Sequence, residues 1–378
     1  MNVGILSMQR VINNGSLLQA YGLKKSIESF GFNVEFVDFK VSDTYEEKYS
    51  WKDKLKLNYP MVYTLLAFVY KLVKIDVNGA SIVISDYKIR KLFLNNFWNV
   101  LGLSKDMRYS TNTDILVFGS DEVFNTVQYV EVGRGHAWQL YGADNNAKKL
   151  VSYAASFGHT TYEGLKKYDM VEKSSELLGQ FSNFSVRDKN SYEIIKKLTG
   201  KEALINIDPV LLYDFEDVEI KKPRINNYIL VYGYPGRINS KEEVAAIKAF
   251  AKKYDKKLIC VNMMQTWCDD MIYAHPFVLL GYFKYADYVI TDTFHGAVIS
   301  IKYNRPFVQF IRSSNNYSNN QKVGFLLDSF DLNDRVLLNN NLFEETMLNP
   351  IDYDKVNEKL MEEKKKSMEY LERVLRLE

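Results

Sequence analysis

Cysteine is almost missing from this chain. Its two thiols, Cys260 and Cys268, stand eight residues apart in 378. That suits neither a disulfide framework nor a zinc ligand set, so buried free thiols in a reducing compartment are the expectation. Neither sign of charge is in excess. The 49 basic and 47 acidic residues leave a formal charge of +2, and no nucleic-acid partner is expected from that balance. Long apolar runs are also missing. The longest, PMVYTLLAFVYKLV, is broken by Lys71 and falls short of the roughly 20 residues a spanning helix needs. The N-terminus, MNVGIL, lacks a basic region ahead of an apolar core, so no signal peptide is expected and the expected address is the cytoplasm. No G-x-G-x-x-G fingerprint follows the first strand, which removes support for a dinucleotide site. No metal-ligand cluster stands out, and no metal site is assigned.

What is present is alternation of strand and helix. NVGIL reads as a buried strand and INNGS as a turn, with Asn and Gly suited to positive φ. The helix that follows has Leu17, Leu18, Tyr21, Leu23 and Ile27 near one face and ends at Gly31; NVEFVDF is the next strand. This βαβ start predicts a parallel sheet. Residues 41–113 are helical in flavour, aromatic and lysine-rich, an excursion from the sheet. DILVFGS, KLVSYAASFG, FSNFSVRD and EALINIDPVLL resume it, with a helix at 189–198. Pro209 and the charged stretch 214–223 mark a boundary. NNYILVYGY, KKLICVNM, ADYVITD and RPFVQFI supply the strands of a second half, and residues 354–377 form an amphipathic tail helix that needs a partner face. The expectation is α/β, in two domains, 1–215 and 224–378, each built on a parallel sheet.

Ligands of open parallel sheets bind beyond the carboxyl ends of the strands, so the strand-end loops are the candidate sites. TDTFHG holds His295, one of four histidines, where a helix is expected to start near His295 or Gly296. The unpaired N–H groups and positive dipole of such a helix end suit a phosphate or carboxylate. Gly296 would let a ligand approach, and His295 could donate to the anion or pass a proton. The competing reading is local capping or packing. SVRD places Arg187 at a strand end, where it could fork onto an anion or pair with Asp188. FGSDEVFN supplies Ser120, Asp121 and Glu122, either as a base and hydroxyl ligands or as helix caps. Arg237 in YPGRINS is an anion-contact candidate by position. The run 59–73, flanked by lysines, reads either as a helix packed on its own domain or as a peripheral contact with a membrane surface.

In order along the chain, NNGSLLQAYGLKKSIESFGFNVEFVDF, DILVFGSDEVFN, VSYAASFG, FSVRDKNSYEIIKKLTG, INIDPVLL and ADYVITDTFHGAVISIKYNRPF together resemble the polysaccharide pyruvyl transferase family. The resemblance runs from about Asn13 to Phe310. It implies a glycosyltransferase-B-like fold: two Rossmann-like domains facing a cleft, the last helix crossing back. It implies pyruvyl transfer from phosphoenolpyruvate to a sugar of a surface polysaccharide or its lipid-linked precursor, forming a ketal and releasing phosphate. No cofactor is implied beyond the donor substrate. The family's arginine falls on Arg187 and its late histidine on His295, both on the donor side; Gly296 and Arg237 join them by position and not by the family motif. Asp121 is expected to face the acceptor as base or hydroxyl ligand, with Asn14, Ser120 and Glu122 on the same side. A lipid-linked acceptor would place the enzyme at the inner membrane face.

Two departures stand out. Many members have Gln where this chain has Glu122, and many have an acid where it has Phe277 and Val278, leaving His275 as a substitute acid. A nucleotide-sugar glycosyltransferase of the same fold, or an inactive glycan-binding protein, are the alternatives these departures keep open.

Overall fold

The protein is seen in a computed structural model that describes residues 1–39, 60–74, 76–93, 97–104, 106–109, 113–126, 137–314, 317–318 and 320–376. Three of the lysines expected to flank the run 59–73, Lys52, Lys54 and Lys56, lie outside the described residues.

Two parallel sheets carry the fold. The first orders its strands β2-β1-β3-β4-β5-β6, where β1 is Asn2–Leu6, β2 Asn33–Phe36, β3 Ile115–Asp121, β4 Lys149–Ala155, β5 Phe184–Val186 and β6 Ala203–Ile205. The second orders them β11-β10-β7-β8-β9, with β7 at Tyr228–Tyr232, β8 at Lys257–Val261, β9 at Asp270–Ile272, β10 at Tyr288–Thr291 and β11 at Phe307–Gln309. Central strands such as β3, ILVFGSD, are buried at every position. Helices cover both faces of such a sheet, so its strands read as continuous apolar runs. Cys260 is buried in β8, and neither cysteine is in a disulfide.

The longer helices are α1 (Asn14–Glu28), α2 (Pro60–Val73), α3 (Val77–Leu92), α4 (Val171–Gly179), α5 (Lys189–Thr199), α6 (Lys241–Lys253), α7 (Pro276–Lys284), α8 (Phe294–Lys302), α9 (Asn320–Ser329) and α10 (Tyr353–Val374). Within the described part of the excursion, α2 and α3 pack as a hairpin. Among the described residues no helix is long and apolar enough to cross a membrane.

The turn expected at INNGS is a helix start instead. The Asn13 side chain accepts the Gly15 N–H at 2.8 Å and so caps α1. An Asn before a periodic apolar run is an N-cap signal as well as a turn signal, and capping won. Helix α1 is buried nearly all round, including Asn14, Ser16 and Gln19, because it lies between the first sheet and the second domain. Tyr21 on α1 meets Phe277 on α7 edge-on, ring centres 4.8 Å apart.

The tail helix finds its partner in the first domain. Tyr370 on α10 donates its hydroxyl to the Ser152 carbonyl on β4 at 2.8 Å, and Ser367 Oγ accepts from Asn206 at 3.1 Å. Two parallel sheets joined by a helix that returns from the end of the chain give the expected glycosyltransferase-B-like architecture.

Strand order also fixes where a ligand can sit. In the first sheet the order reverses between β1 and β3; in the second it reverses between β7 and β10. At such a switch point the two following loops turn opposite ways and open a crevice.

Candidate active site

Four elements meet at the two switch points. The loop after β1 feeds α1, and β3 ends at Asp121. Ser16 Oγ donates to Asp121 Oδ2 at 2.6 Å, bridging the first switch point. Asp121 takes φ 75°, a left-handed conformation that costs a non-glycine residue on the order of 1 kcal/mol or more. On the other side, the loop after β7 carries Tyr234 and Arg237, and β10 leads to Asp292, Thr293 and His295. The Tyr234 N–H donates to Asp292 Oδ1 at 3.0 Å, bridging the second.

The two switch points touch. Asn13 donates to the Tyr234 hydroxyl at 3.0 Å, and Asn262 of the second domain donates to Asn14 Oδ1 at 3.0 Å. The imidazole of His295 packs on Gly15: an added Cβ there would lie 2.1 Å from His295 Nδ1. The N-terminal ends of α1 and α8, both positive, therefore face each other. Carboxylates balance them. Asp208 Oδ2 lies 3.5 Å from His295 Nε2 and accepts from Arg187 Nη1 at 2.8 Å, while Arg187 Nη2 lies 3.5 Å from Asp121 Oδ1. The Arg187 guanidinium also sits 4.3 Å from the centre of the Phe294 ring. One arginine, one histidine and two carboxylates, drawn from both domains, thus share one buried spot.

The electrostatics follow from burial and pairing. Burial alone would raise the Asp208 carboxyl, but the hydrogen bond and charge of His295, with Arg187, hold it down at about 2. Glu122 shows the same contest. Burial would raise it, and Lys322 on α9 wins, holding it at about 2. Asp292 goes the other way: burial raises it, with Arg237 and Arg312 only partly opposing.

Residues 13–315 match the family described as polysaccharide pyruvyl transferase. The chain belongs to this family. No curated protein matches the sequence significantly. Among solved structures, it is similar to trehalose-6-phosphate synthase OtsA, with 12% identity, coverage of 100% of this chain and 99% of that one, and a TM-score of 0.49. It is also similar to S. aureus MnaA solved with UDP, at 11% identity, 96% and 90% coverage and a TM-score of 0.47.

In this pyruvyl transferase family member, the arginine and histidine of the quoted motifs, Arg187 and His295, are brought to one place, and Asp121 stands with them. Arg187 pairs with Asp208 and Asp121 rather than with Asp188, which instead caps α5 through the Ser191 N–H at 2.8 Å. Arg237 stays on the rim, one-third exposed, 4.0 Å from Asp292. Asn14 is buried and occupied with Asn262.

Three expectations are corrected. Gly296 does not open its backbone to a ligand: a Cβ there would lie 2.0 Å from Thr291 Oγ1, and its N–H already donates to Thr293 Oγ1 at 2.9 Å. Glycine is needed there for packing. Ser120 is fully buried, its hydroxyl donating to the Ala154 carbonyl at 2.9 Å, which leaves it no open face for an acceptor sugar. His275 caps α7 by accepting the Phe277 N–H at Nδ1 at 3.3 Å, and its ring lies 5.0 Å from that of Phe97, so it serves the start of α7 and stands apart from the Asp208–His295 pair. Glu122, the added charge, is answered across the cleft by Lys322.

The residue missed in the sequence is Asp208. It stands in the quoted INIDPVLL run, and its carboxylate does what a proline-preceded helix start suggests: Oδ1 accepts the Val210 N–H at 2.9 Å. That its other oxygen meets a histidine 87 residues on is a tertiary fact with no local signal. Arg312, which joins Arg237 around Asp292 and pairs with Glu243 at 2.6 Å, was also unmarked.

The Gly15 contact is testable. Gly15→Ala should fold, since Gly15 has ordinary helical backbone in the first turn of α1, yet it must push the His295 ring aside. A displacement of about 1 Å at a reacting group costs about 100-fold, so transfer should fall by that order while the melting temperature moves little. Unchanged activity in Gly15→Ala would mean the ring position is immaterial.

Proposed function

We propose that the protein transfers a pyruvyl group from phosphoenolpyruvate to two hydroxyls of a sugar in a surface polysaccharide or its lipid-linked precursor. The observation that carries this reading is the meeting of His295 with Asp208, Arg187 and Asp121 at the point where both sheets reverse order. Family membership supports a transferase. The choice of donor rests on the chemistry below.

Phosphoenolpyruvate brings a phosphate and a carboxylate, and the facing helix ends with Arg187, Arg237 and Arg312 suit an anion of that kind. In the first step His295 gives a proton to the methylene carbon, and positive charge develops on the adjacent carbon. A sugar hydroxyl adds there; its oxygen bonds to that carbon and its proton passes to Asp121. In the second step another hydroxyl of the sugar bonds to the same carbon and gives its proton to His295, as the bond to the phosphate oxygen breaks and the departing phosphate takes the proton held by Asp121. A ketal closes and phosphate leaves. Asp208, held ionised, orients the His295 ring. Asp121, fixed by Ser16, is aimed from the first domain, so acid and base approach from opposite domains. Such positioned proton transfers contribute about 10²–10⁴-fold each.

The test is ligand-dependent stability, then turnover. Phosphoenolpyruvate at 100 times its dissociation constant should stabilise the fold by about 2.7 kcal/mol and raise the melting temperature. Phosphate release should then require an acceptor glycan. A rise with a nucleotide sugar and none with phosphoenolpyruvate would replace this reading with glycosyl transfer. A rise with glycan alone, without phosphate release, would make the protein a binding module.

A further inference from the structure

Helix α2 is built inside out. Its inward positions, Tyr63, Thr64, Ala67, Phe68 and Lys71, are half-buried. Its exposed positions are Met61, Val62, Leu65, Leu66, Val69, Tyr70, Leu72 and Val73. These recur at helical spacing and make one continuous face with no charged residue in it. The exposures are large: 67% for Met61, 62% for Leu65 and 74% for Val73. Single exposed apolar residues are ordinary, but a whole helix face of them marks a contact surface.

The charge of the hairpin is mostly positive. The hairpin from Pro60 to Phe93 carries Lys71, Lys74, Lys88, Arg90 and Lys91 against Asp76 and Asp86, and Asp76 is already paired with Lys71 at 2.8 Å. Its foot rests beside the cleft. Lys88 Nζ lies 5.0 Å from the centre of the Tyr273 ring, and the Phe97 ring lies 5.0 Å from that of His275.

We propose that the α2–α3 hairpin seats the enzyme on a bilayer surface that carries anionic headgroups. Fourteen residues at about 1.5 Å each reach only about 21 Å, short of the hydrocarbon thickness, so α2 lies in the plane of the interface. Its aliphatic side chains enter the acyl boundary, and Lys74, Arg90 and Lys91 meet the headgroups. A second copy is the poorer occupant. Two-fold pairing of this face would bring the same basic rim against itself. This inference is independent of the donor chemistry and would stand if that reading fell.

Co-sedimentation with vesicles tests it, using phosphatidylcholine alone and phosphatidylcholine mixed with phosphatidylglycerol. The full chain should bind the mixed vesicles and lose binding as salt shortens the screening length from about 10 Å at 0.1 M to about 3 Å at 1 M. Leu65→Gln/Leu66→Gln/Val69→Gln should weaken partitioning by about tenfold or more. All three positions are exposed, so this variant should keep its circular dichroism and melting temperature. Lys74→Glu/Lys91→Glu should weaken binding to the mixed vesicles only. Sedimentation equilibrium on the same proteins closes the alternative. A dimer that the glutamine variant abolishes, without vesicle binding, would overturn the proposal in favour of self-association. Equal vesicle binding by the full chain and the glutamine variant would overturn it as well.

Discussion

His295→Ala is expected to lower the rate of phosphate release from phosphoenolpyruvate by about 10²–10⁴-fold at saturating donor. The fold should tolerate the change. Asp208 keeps its ion pair with Arg187 at 2.8 Å and its hydrogen bond from the Val210 N–H at 2.9 Å, so no carboxylate is left bare. Loss of the ring removes contacts at Gly15 but opens no buried charge. The effect should therefore fall on kcat, with donor affinity reduced less, because a proton donor acts most in the transition state. Asp208→Asn gives the matching control. It keeps the shape but not the charge beside His295, so its loss should be smaller and should also land on kcat. If His295→Ala kept full turnover, the acid would have to be sought elsewhere. If it lost the donor-induced thermal shift but kept kcat, His295 would be a phosphate ligand and nothing more.

The sequence made the sheets legible and left the site half-read, for a physical reason. Strands β3, β4, β7, β8 and β10 are apolar runs closed by turn residues, and that signal is local. Strand β9, three residues opening on Asp270, has no such run and went unread. Arg187, Asp121 and His295 were found because each lies at or just beyond the carboxyl end of a strand, and those ends in a parallel sheet point one way. Their partners were not found. Asp208 meets His295, Ser16 meets Asp121 and Lys322 meets Glu122 across 87, 105 and 200 positions of chain. No periodicity carries information over such distances. The glycines were misjudged for a related reason. INNGS was read for backbone freedom, whereas Gly15 is helical and is small because a ring from the other domain needs the space. Gly296 was read as an opening for ligand, and Thr291 fills that opening. Sequence reports where a side chain is missing; only the fold reports what occupies the gap.

Arg187→Ala carries the largest expected loss of stability, about 3–5 kcal/mol, because it strips the cation from a buried pair and leaves its carboxylates uncompensated. The guanidinium spends Nη1 on Asp208 and lies against Asp121 through Nη2, with its side chain only 4% exposed. Lysine would restore the charge without the fork, so Arg187→Lys should recover only part of the loss. The acid limb of stability checks the same cause. Asp208 ionises at about 2 in the folded chain, below its ordinary 3.8. The unfolded chain therefore binds more protons between these values, and stability rises with pH there. The contribution is full above the unfolded value and is lost as pH falls through about 2. Without Arg187 the folded value must climb toward the ordinary 3.8, so the variant's urea midpoint, lower throughout, should fall less than the parent's as pH drops from about 5 to about 2. Parallel curves for the two proteins would show that Arg187 does not hold Asp208 ionised. The same variant separates structure from binding. Arg187 also has an Nε–H with no partner among the described residues, buried beside Phe294, one of the donors still open to a ligand anion. A folded Arg187→Lys protein that keeps its full thermal response to phosphoenolpyruvate would confine Arg187 to holding Asp208 and Asp121 in place. A response lost while the fold persists would make it the clamp on the donor as well.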